Sequence, residues 1–398
     1  MEYLGIIMTG TSGSGKTTIA NRLCEISEAF RIVQAVTTCQ PRIDNVPDQY
    51  SHISEDEFRR LAEEGNLLIE SAYRGEYYGI TNEAFQQVVD NNEVPLLVLT
   101  PESVEKLENA QQQKVLKERL LFLTFFLDAP DEILNDRLLK RGQQDIKTIE
   151  EQRRNDRSYS EACIYSVRNM DIDNTCELIC ALWEYRKTGG VLSKRLIQLM
   201  IDCGMLFENA ELQKITGAAY DLSVGSEYYY GGQTNTLTDA ESFVRIEPYE
   251  YAIITSREIA NFPRDIAGRF DLSVSLFCRG IILSNGPQVD PGFKGRLFCL
   301  LFNTSNDVVE LKVNSHYATI EFQKLMEPTI AYSGEYQDKD RIMEYLPKKV
   351  SRSPISELKK EIDSLKSEKW LTRTLPIIIA IGTGVVAIVA LVLAILLD

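Results

Sequence analysis

Residues 10–17, GTSGSGKT, carry the most concentrated chemistry in this 398-residue chain. Their spacing fits G-x-x-x-x-G-K-[ST], in which glycines let backbone N–H groups curl around phosphate oxygens. Lys16 can reach the terminal phosphates, and the Thr17 hydroxyl can ligate Mg2+. Gly10, Ser12, Gly13, Ser14, Gly15, Lys16, Thr17 and Thr18 therefore form the expected ATP-binding site. Thr17 is the expected protein ligand to the metal, and ATP and Mg2+ are the expected cofactors.

Such a loop works between a strand and a helix, and the flanking sequence provides both. Leu4–Met8 predicts a buried strand, and a helical pattern follows Lys16. The alternation recurs with Val94–Thr100 before Pro101–Ala110 and Leu120–Leu127 before Pro130–Lys140. It predicts a parallel sheet over residues 1–187, closed by the break at Thr188, Gly189 and Gly190. Residues 191–216 read as a short helical lead-in, and 217–326 as an all-β segment of short β-branched and aromatic runs. Residues 327–353 read as an irregular linker, and 354–370 as an amphipathic stalk helix.

Residues 375–397 carry no charge. At ~1.5 Å per residue such a run spans a ~30 Å hydrocarbon core, so one transmembrane helix is expected there. Lys366, Lys369 and Arg373 flank its N-terminal side. The positive-inside rule then leaves both soluble domains in the cytoplasm, behind a single-pass C-terminal tail anchor.

Composition narrows the function classes. The 43 basic against 58 acidic residues leave a net charge of −15, so nucleic acid is not an expected partner. Only His52 and His316 are present, and none of the eight cysteines forms a C-x-x-C pair, which argues against a Cys/His zinc site. Scattered through apolar stretches, the cysteines read as reduced thiols of a cytosolic chain.

The segment around the phosphate loop resembles the guanylate kinase family across residues 1–185. Thr37–Arg42, TTCQPR, is similar to the family's T-T-R-x-P-R, and Tyr50 to the tyrosine of its D-Y-H-F. Gly65 through Tyr77, Tyr78 and Gly79 keeps the spacing of its G-x-F-L-E…Y-Y-G segment, and Arg137–Gly142, RLLKRG, resembles its lid. The resemblance implies that Arg42, Tyr50 and Tyr78 clamp an acceptor phosphate. It also implies that Arg137, Arg141 and Lys16 spread charge during phosphoryl transfer. The departures are as informative. Cys39 stands at the family's first arginine, Ile69 at the glutamate that accepts from guanine, and Val98–Thr100 at its D-x-D. Hydrocarbon there leaves guanine's donors unpaired at ~1–3 kcal/mol each, so guanine is not the expected acceptor base. The acceptor stays open between another nucleotide and a phospho-sugar.

Residues 191–326 resemble the dCTP deaminase branch of the trimeric dUTPase superfamily. Val191–Ile197, VLSKRLI, is similar to its opening helix, and Ala218–Gly225, AAYDLSVG, to its A-S-Y-D-L-R-L-G strand. Phe262–Arg269, FPRDIAGR, continues in register, and Val289–Gly295, VDPGFKG, is similar to I-D-P-G-F-x-G. The resemblance implies a distorted β-barrel that assembles as a homotrimer. It implies a nucleotide site of Asp221, Ser275, Arg279, Asp290, Gly292 and Phe293, shared between neighbouring subunits. The family's proton-shuttling glutamate falls on Leu300, and the second arginine of R-S-S-L-A-R on Cys278, unless a one-residue slip lets Arg279 serve. Deamination must move protons to the leaving amine, which leucine cannot do, so nucleotide binding without deamination is expected. Asp290 keeps two readings: the water-orienting aspartate of a dUTPase-like pyrophosphatase, or a turn cap before Pro291 and Gly292.

Ile355, Leu358, Ile362 and Leu365 step as an a/d seam. Two heptads are too short to fold alone. Either three parallel copies coil beneath a trimer, or one helix packs on its own β-domain. The expected fold class is thus an α/β P-loop kinase domain with a parallel sheet, then an all-β distorted barrel of the trimeric dUTPase-like fold, a short coiled-coil helix and one transmembrane helix. Two functions remain open. One is a membrane-anchored, nucleotide-binding protein with an ATP-dependent nucleotide kinase domain and a non-deaminating β-domain. The other is a nucleotide-sensing signalling or antiviral-defence effector acting through its C-terminal helix.

Overall fold

The structure, a computed structural model, describes residues 3–40, 50–73, 75–112, 121–140, 146–238, 242–348, 350, 358, 361–366, 368 and 374–386. The first domain runs β1 (Tyr3–Gly10), α1 (Lys16–Ile26), β2 (Phe30–Ile32), β3 (Ala35–Thr37), β4 (Tyr50–His52), α2 (Glu55–Glu63), β5 (Leu67–Tyr73), β6 (Glu76–Thr81) and α3 (Asn82–Asp90). It continues through β7 (Val94–Val98), α4 (Pro101–Gln112), β8 (Leu121–Asp128), α5 (Asp131–Lys140), α6 (Ile146–Ser158), β9 (Tyr165–Arg168) and α7 (Ile172–Glu184). The main sheet is wholly parallel, in the order β2-β7-β1-β8-β9. A central parallel strand is covered on both faces, and β1 is accordingly buried almost throughout. Its Ile6 and Met8 join one hydrophobic core with Ile19 and Leu23 of α1, while Ile7 joins another with Val104 of α4 and Phe122 of β8. A second sheet, β4-β3-β6-β5, stands beside it and carries Tyr50 and Tyr78.

The second domain begins with β10 (Gly190–Val191), α8 (Lys194–Asp202) and β11 (Leu206–Glu208). It proceeds through β12 (Ala219–Tyr230), β13 (Gln233–Thr236), β14 (Phe243–Ile246), β15 (Tyr251–Asn261), β16 (Ile266–Leu272) and α9 (Val274–Cys278). β17 (Ile281–Ser284), β18 (Lys294–Asn303), β19 (Val309–Lys312) and β20 (His316–Lys324) complete it. The main path is β10-β20-β12-β15-β18-β17, with β11, β13 and β16 attached to β15, β12 and β20, and β14 pairs with β19. The result is a curled antiparallel half-barrel. The lead-in before it is more than helical: β11 pairs with Asn261 to Ile259 of β15, because Leu206 and Phe207 are buried there.

One core runs without interruption from Tyr3, Ile6 and Leu182 of the first domain into Ile197, Phe262 and Phe322 of the second. After β20, residues 327–348 carry only a short helix, α10 (Ile342–Tyr345), yet they are fastened along β18. Gln337 donates to Gly292 O at 3.0 Å and accepts from Lys294 N at 3.0 Å, and the Tyr345 ring packs at a tilt on Phe298 with centroids 4.5 Å apart. Leu358, Ile362 and Leu365 of the stalk segment are exposed, and Ile355 lies outside the described residues.

The membrane span expected over 375–397 is not carried by the described residues. A helix covers 374–386, roughly 20 Å at 1.5 Å per residue, against the ~30 Å of a hydrocarbon core. Among the described residues no helix is long and apolar enough to cross a membrane, and 387–398 lie outside them.

Candidate functional site

β1 ends in Gly10, whose φ of +136° and neighbourhood exclude a side chain: a Cβ would stand 1.9 Å from Leu127 O on β8. The loop therefore folds tightly over the sheet edge, with Thr11 N bonded to Leu127 O at 3.2 Å and Thr11 Oγ1 to Asp128 Oδ1 at 2.8 Å. Lys16 lies back across the loop, its Nζ donating to Gly10 O and Thr11 O at 2.9 Å each. Gly15 stands at the N-cap of α1, no side chain caps the helix, and no acid occupies its first turn. By contrast α2, α3, α7 and α8 are capped by Ser54, Thr81, Asp171 and Ser193. The N–H groups at the start of α1 thus point into a position suited to an anion, beside an ammonium. Thr17, in that first turn, is placed to meet a metal carried by a triphosphate. Among the described residues no group of three His, Cys, Asp or Glu could hold an ion by itself. The ion fits as a companion of the phosphates, where it would neutralise their charge.

The lid side is only partly as expected. Arg137 on α5 reaches the loop, donating to Ser14 O at 3.4 Å and Asn169 O at 3.0 Å. Arg141 lies outside the described residues. Sequence reasoning missed four neighbours. Asn169 donates from Nδ2 to Ser14 O at 2.8 Å. Arg157 binds Asp128 Oδ2 and Asp131 Oδ1, each at 2.8 Å, and that bond holds the Asp131 carboxyl below its ordinary range. Arg153, fully buried, donates to Asn135 Oδ1 at 2.7 Å, and burial disfavours its charge. Asp128 joins the phosphate loop to this cluster. Its position at the carboxyl end of a central parallel strand was the available signal.

On the acceptor side, Tyr50 and Tyr78 meet edge to face with centroids 5.6 Å apart, while Arg42 lies outside the described residues. The Tyr78 hydroxyl is pushed up to about 12, by burial first and then by Cys39 and Tyr50. Behind them a cavity of about 20 Å³ is lined by Ile69, Ser71, Val98, Leu99 and Thr100 among others. A water needs roughly 10–15 Å³, and benzene sits in an apolar cavity of about 150 Å³. Thr100 Oγ1 is occupied with Ser103 Oγ at 2.6 Å and Ser71 Oγ at 3.4 Å.

The expected β-domain residues fall into two groups. Asp221 pairs with Thr319, which pairs in turn with Asp271, so Asp221 lies at the α9 end of the sheet. Asp221 Oδ1 accepts from Thr319 Oγ1 at 2.8 Å and lies 3.4 Å from His316 Nε2. Ser275 and Arg279, on and just after α9, are exposed. Asp290, Gly292 and Phe293 lie elsewhere: Val289 bridges Gly268, five residues before Ser273. At ~3.3 Å per residue, Gly268 stands roughly 10 Å along the strand from Asp271, level with Asp221, and roughly 16 Å from Ser273, where α9 begins. Asp290 accepts from Gln288 Nε2 at 2.8 Å, and Phe293 meets Tyr332 edge to face. Leu300 pairs with Ile253 and Ser284, on the same strand face as Phe298 and Phe302, an apolar setting. Glu258 is fully buried and structural: it accepts from Ser223 N at 3.0 Å, Ser223 Oγ at 2.7 Å and Tyr220 OH at 3.2 Å.

Residues 4–185 match the guanylate kinase family model, and residues 191–325 match the dCTP deaminase-like model. The dCTP deaminase of Pyrococcus horikoshii is 36% identical over 140 residues, which are 35% of this chain and 88% of that protein. The guanylate kinase of Anaplasma phagocytophilum is 25% identical over 179 residues, 44% of this chain and 82% of that protein. The crystal structure of that species' guanylate kinase aligns at TM-score 0.36 with 21% identity, covering 47% of this chain and 89% of the other. The chain therefore belongs, through residues 191–325, to the dCTP deaminase-like family, and residues 4–185 ahead of it form a domain similar to guanylate kinases.

Proposed function

We propose that this is a two-domain nucleotide-binding protein. Its first domain takes Mg·ATP on the phosphate loop, and its β-domain binds a nucleotide without deaminating it. The observation that carries the reading is the uncapped start of α1 beneath Lys16, a ready anion site. Lys16, Thr17, Thr18 and the N–H groups of residues 13–16 would hold the phosphates, with Arg137 at the lid. In the β-domain, Leu300 removes the proton shuttle, so Asp221, Ser275, Arg279, Asp290, Gly292 and Phe293 keep a binding role. Their separation in one protomer supports a homotrimer that shares each site between subunits. The exposed Val274 and Phe277 of α9, 74% and 67% accessible, support a contact there. The charge-free sequence 375–397 supports a single-pass membrane anchor with both domains cytoplasmic.

A second reading, a nucleotide-sensing effector acting through the C-terminal helix, is favoured by Ile69 and Leu300, hydrocarbon where the resemblance places an acceptor-binding and a proton-shuttling glutamate. Thermal unfolding of the chain against a panel of nucleotides tests the first reading. Mg·ATP at 100 times Kd should stabilise by about 2.7 kcal/mol, and Lys16→Ala should abolish the shift. An equal shift in Lys16→Ala would overturn it. Light scattering tests the trimer, which a monomer at micromolar concentration would exclude.

A further inference from the structure

Strand β9 is four residues long and is tied at both ends. Just past its C-terminal end, Asn169 holds the phosphate loop: its Nδ2 donates to Ser14 O at 2.8 Å, and its carbonyl accepts from Arg137 Nη2 at 3.0 Å. One residue earlier, Arg168 N–H donates to Cys203 O at 2.8 Å, at the end of α8 in the second domain. At its start, the Tyr165 hydroxyl donates to Asp265 Oδ2 at 2.5 Å, and Lys324 Nζ meets the same oxygen at 3.1 Å. Tyr165, Asp265 and Lys324 are all buried. One short strand thus joins the phosphate loop to two segments of the β-domain, and all three junctions are polar bonds of specific geometry.

We infer that occupancy of the phosphate loop is transmitted to the β-domain through β9, so that both domains respond to nucleoside triphosphate as one unit. This rests on the proposed reading of the phosphate loop. An opening that pulls β9 from Ser14 disorders the loop that grips phosphate, so bound triphosphate opposes it. The same opening breaks the bonds to Cys203 and Asp265. Residues 203–208 and 262–268 therefore inherit protection although no ligand touches them. A saturated site can suppress such an opening by up to about a hundredfold at 100 times Kd.

Amide hydrogen exchange on the full chain, with and without the non-hydrolysable analogue Mg·AMP-PNP, tests this. Exchange should slow at residues 10–18 and also, by about fivefold or more, at 203–208 and 262–268. Tyr165→Phe should keep the analogue's Kd and the protection at 10–18, and reduce that at 262–268 to less than twofold. No protection at 10–18 would remove the proposed nucleotide site. Protection at 10–18 with none at 203–208 and 262–268 would overturn the transmission, as would full protection at 262–268 in Tyr165→Phe. If that variant does not fold, the comparison of segments in the wild type decides.

Discussion

Replacing Lys324 by methionine tests what holds the two domains together. Lys324 and Asp265 side chains are 3% and 1% exposed, with Nζ and Oδ2 3.1 Å apart. Asp265 Oδ1 has no hydrogen-bond partner among the described residues, and burial already raises the carboxyl above its ordinary range, opposed by Lys324 and Tyr165. Without the ammonium, the carboxylate must lie uncompensated or take a proton. An uncompensated buried charge costs ~3–5 kcal/mol. Protonation at pH 7 from an unfolded-state pKa near 3.9 costs about 4 kcal/mol, at 1.36 kcal/mol per unit. The two routes differ in their pH dependence. In the protonated route the folded-state pKa is raised, so stability present below pH ~3.9 is lost as pH rises, and the penalty shrinks to about 1.5 kcal/mol at pH 5. Urea unfolding of wild type and Lys324→Met at pH 5, 6 and 7 should show that convergence. Lys324→Met with Asp265→Asn should recover most of the loss, since no charge is then stranded. A loss below 1 kcal/mol at pH 7, or one that does not change with pH, would refute the protonation reasoning.

Gly10→Ala should cost at least about 3 kcal/mol and abolish nucleotide binding, because its Cβ would stand 1.9 Å from Leu127 O at a φ of +136°; a folded, ATP-binding variant in calorimetry would contradict the loop geometry. Tyr78, held up to about 12, favours its neutral form in the fold, so its contribution is complete below pH 10 and lost as pH rises through 12. Wild type should therefore lose stability relative to Tyr78→Phe over that window, and a constant difference would count against it. Purified protein should release no ammonia from dCTP, since Leu300 cannot move a proton; stoichiometric release in a coupled assay would sink that reading.

The legible parts of the molecule were those written in local patterns. The G-x-x-x-x-G-K-T loop lies between β1 and α1, and the long apolar runs became β7 and β8 because central parallel strands are buried on both faces. The illegible parts depend on distant residues meeting. Asp128 joins Thr11 from 117 positions away, and Tyr165 joins Asp265 from 100 away. No periodicity marks such pairs, because each partner lies in an element whose own pattern is already satisfied. Residues 327–348 read as irregular for a related reason. Bonds from Gln337 and Asp338 run to Lys294 at the start of β18, a partner more than forty positions away that no local repeat marks.

The two departures from the family patterns share a direction. At Ile69 and Val98 hydrocarbon stands where the resemblance places groups that would recognise an acceptor base, beside a cavity of about 20 Å³. At Leu300 hydrocarbon replaces a proton carrier, between Phe298 and Phe302. The first change bears on binding an acceptor and the second on a proton transfer, while Lys16 and Arg137 keep cationic groups at the phosphate loop. The fastening of residues 327–348 along the Gly292 loop is close. A Cβ on Gly292, at a φ of +76°, would stand 2.6 Å from Ala331 Cβ, so that loop and the segment after β20 pack too closely for any side chain at position 292.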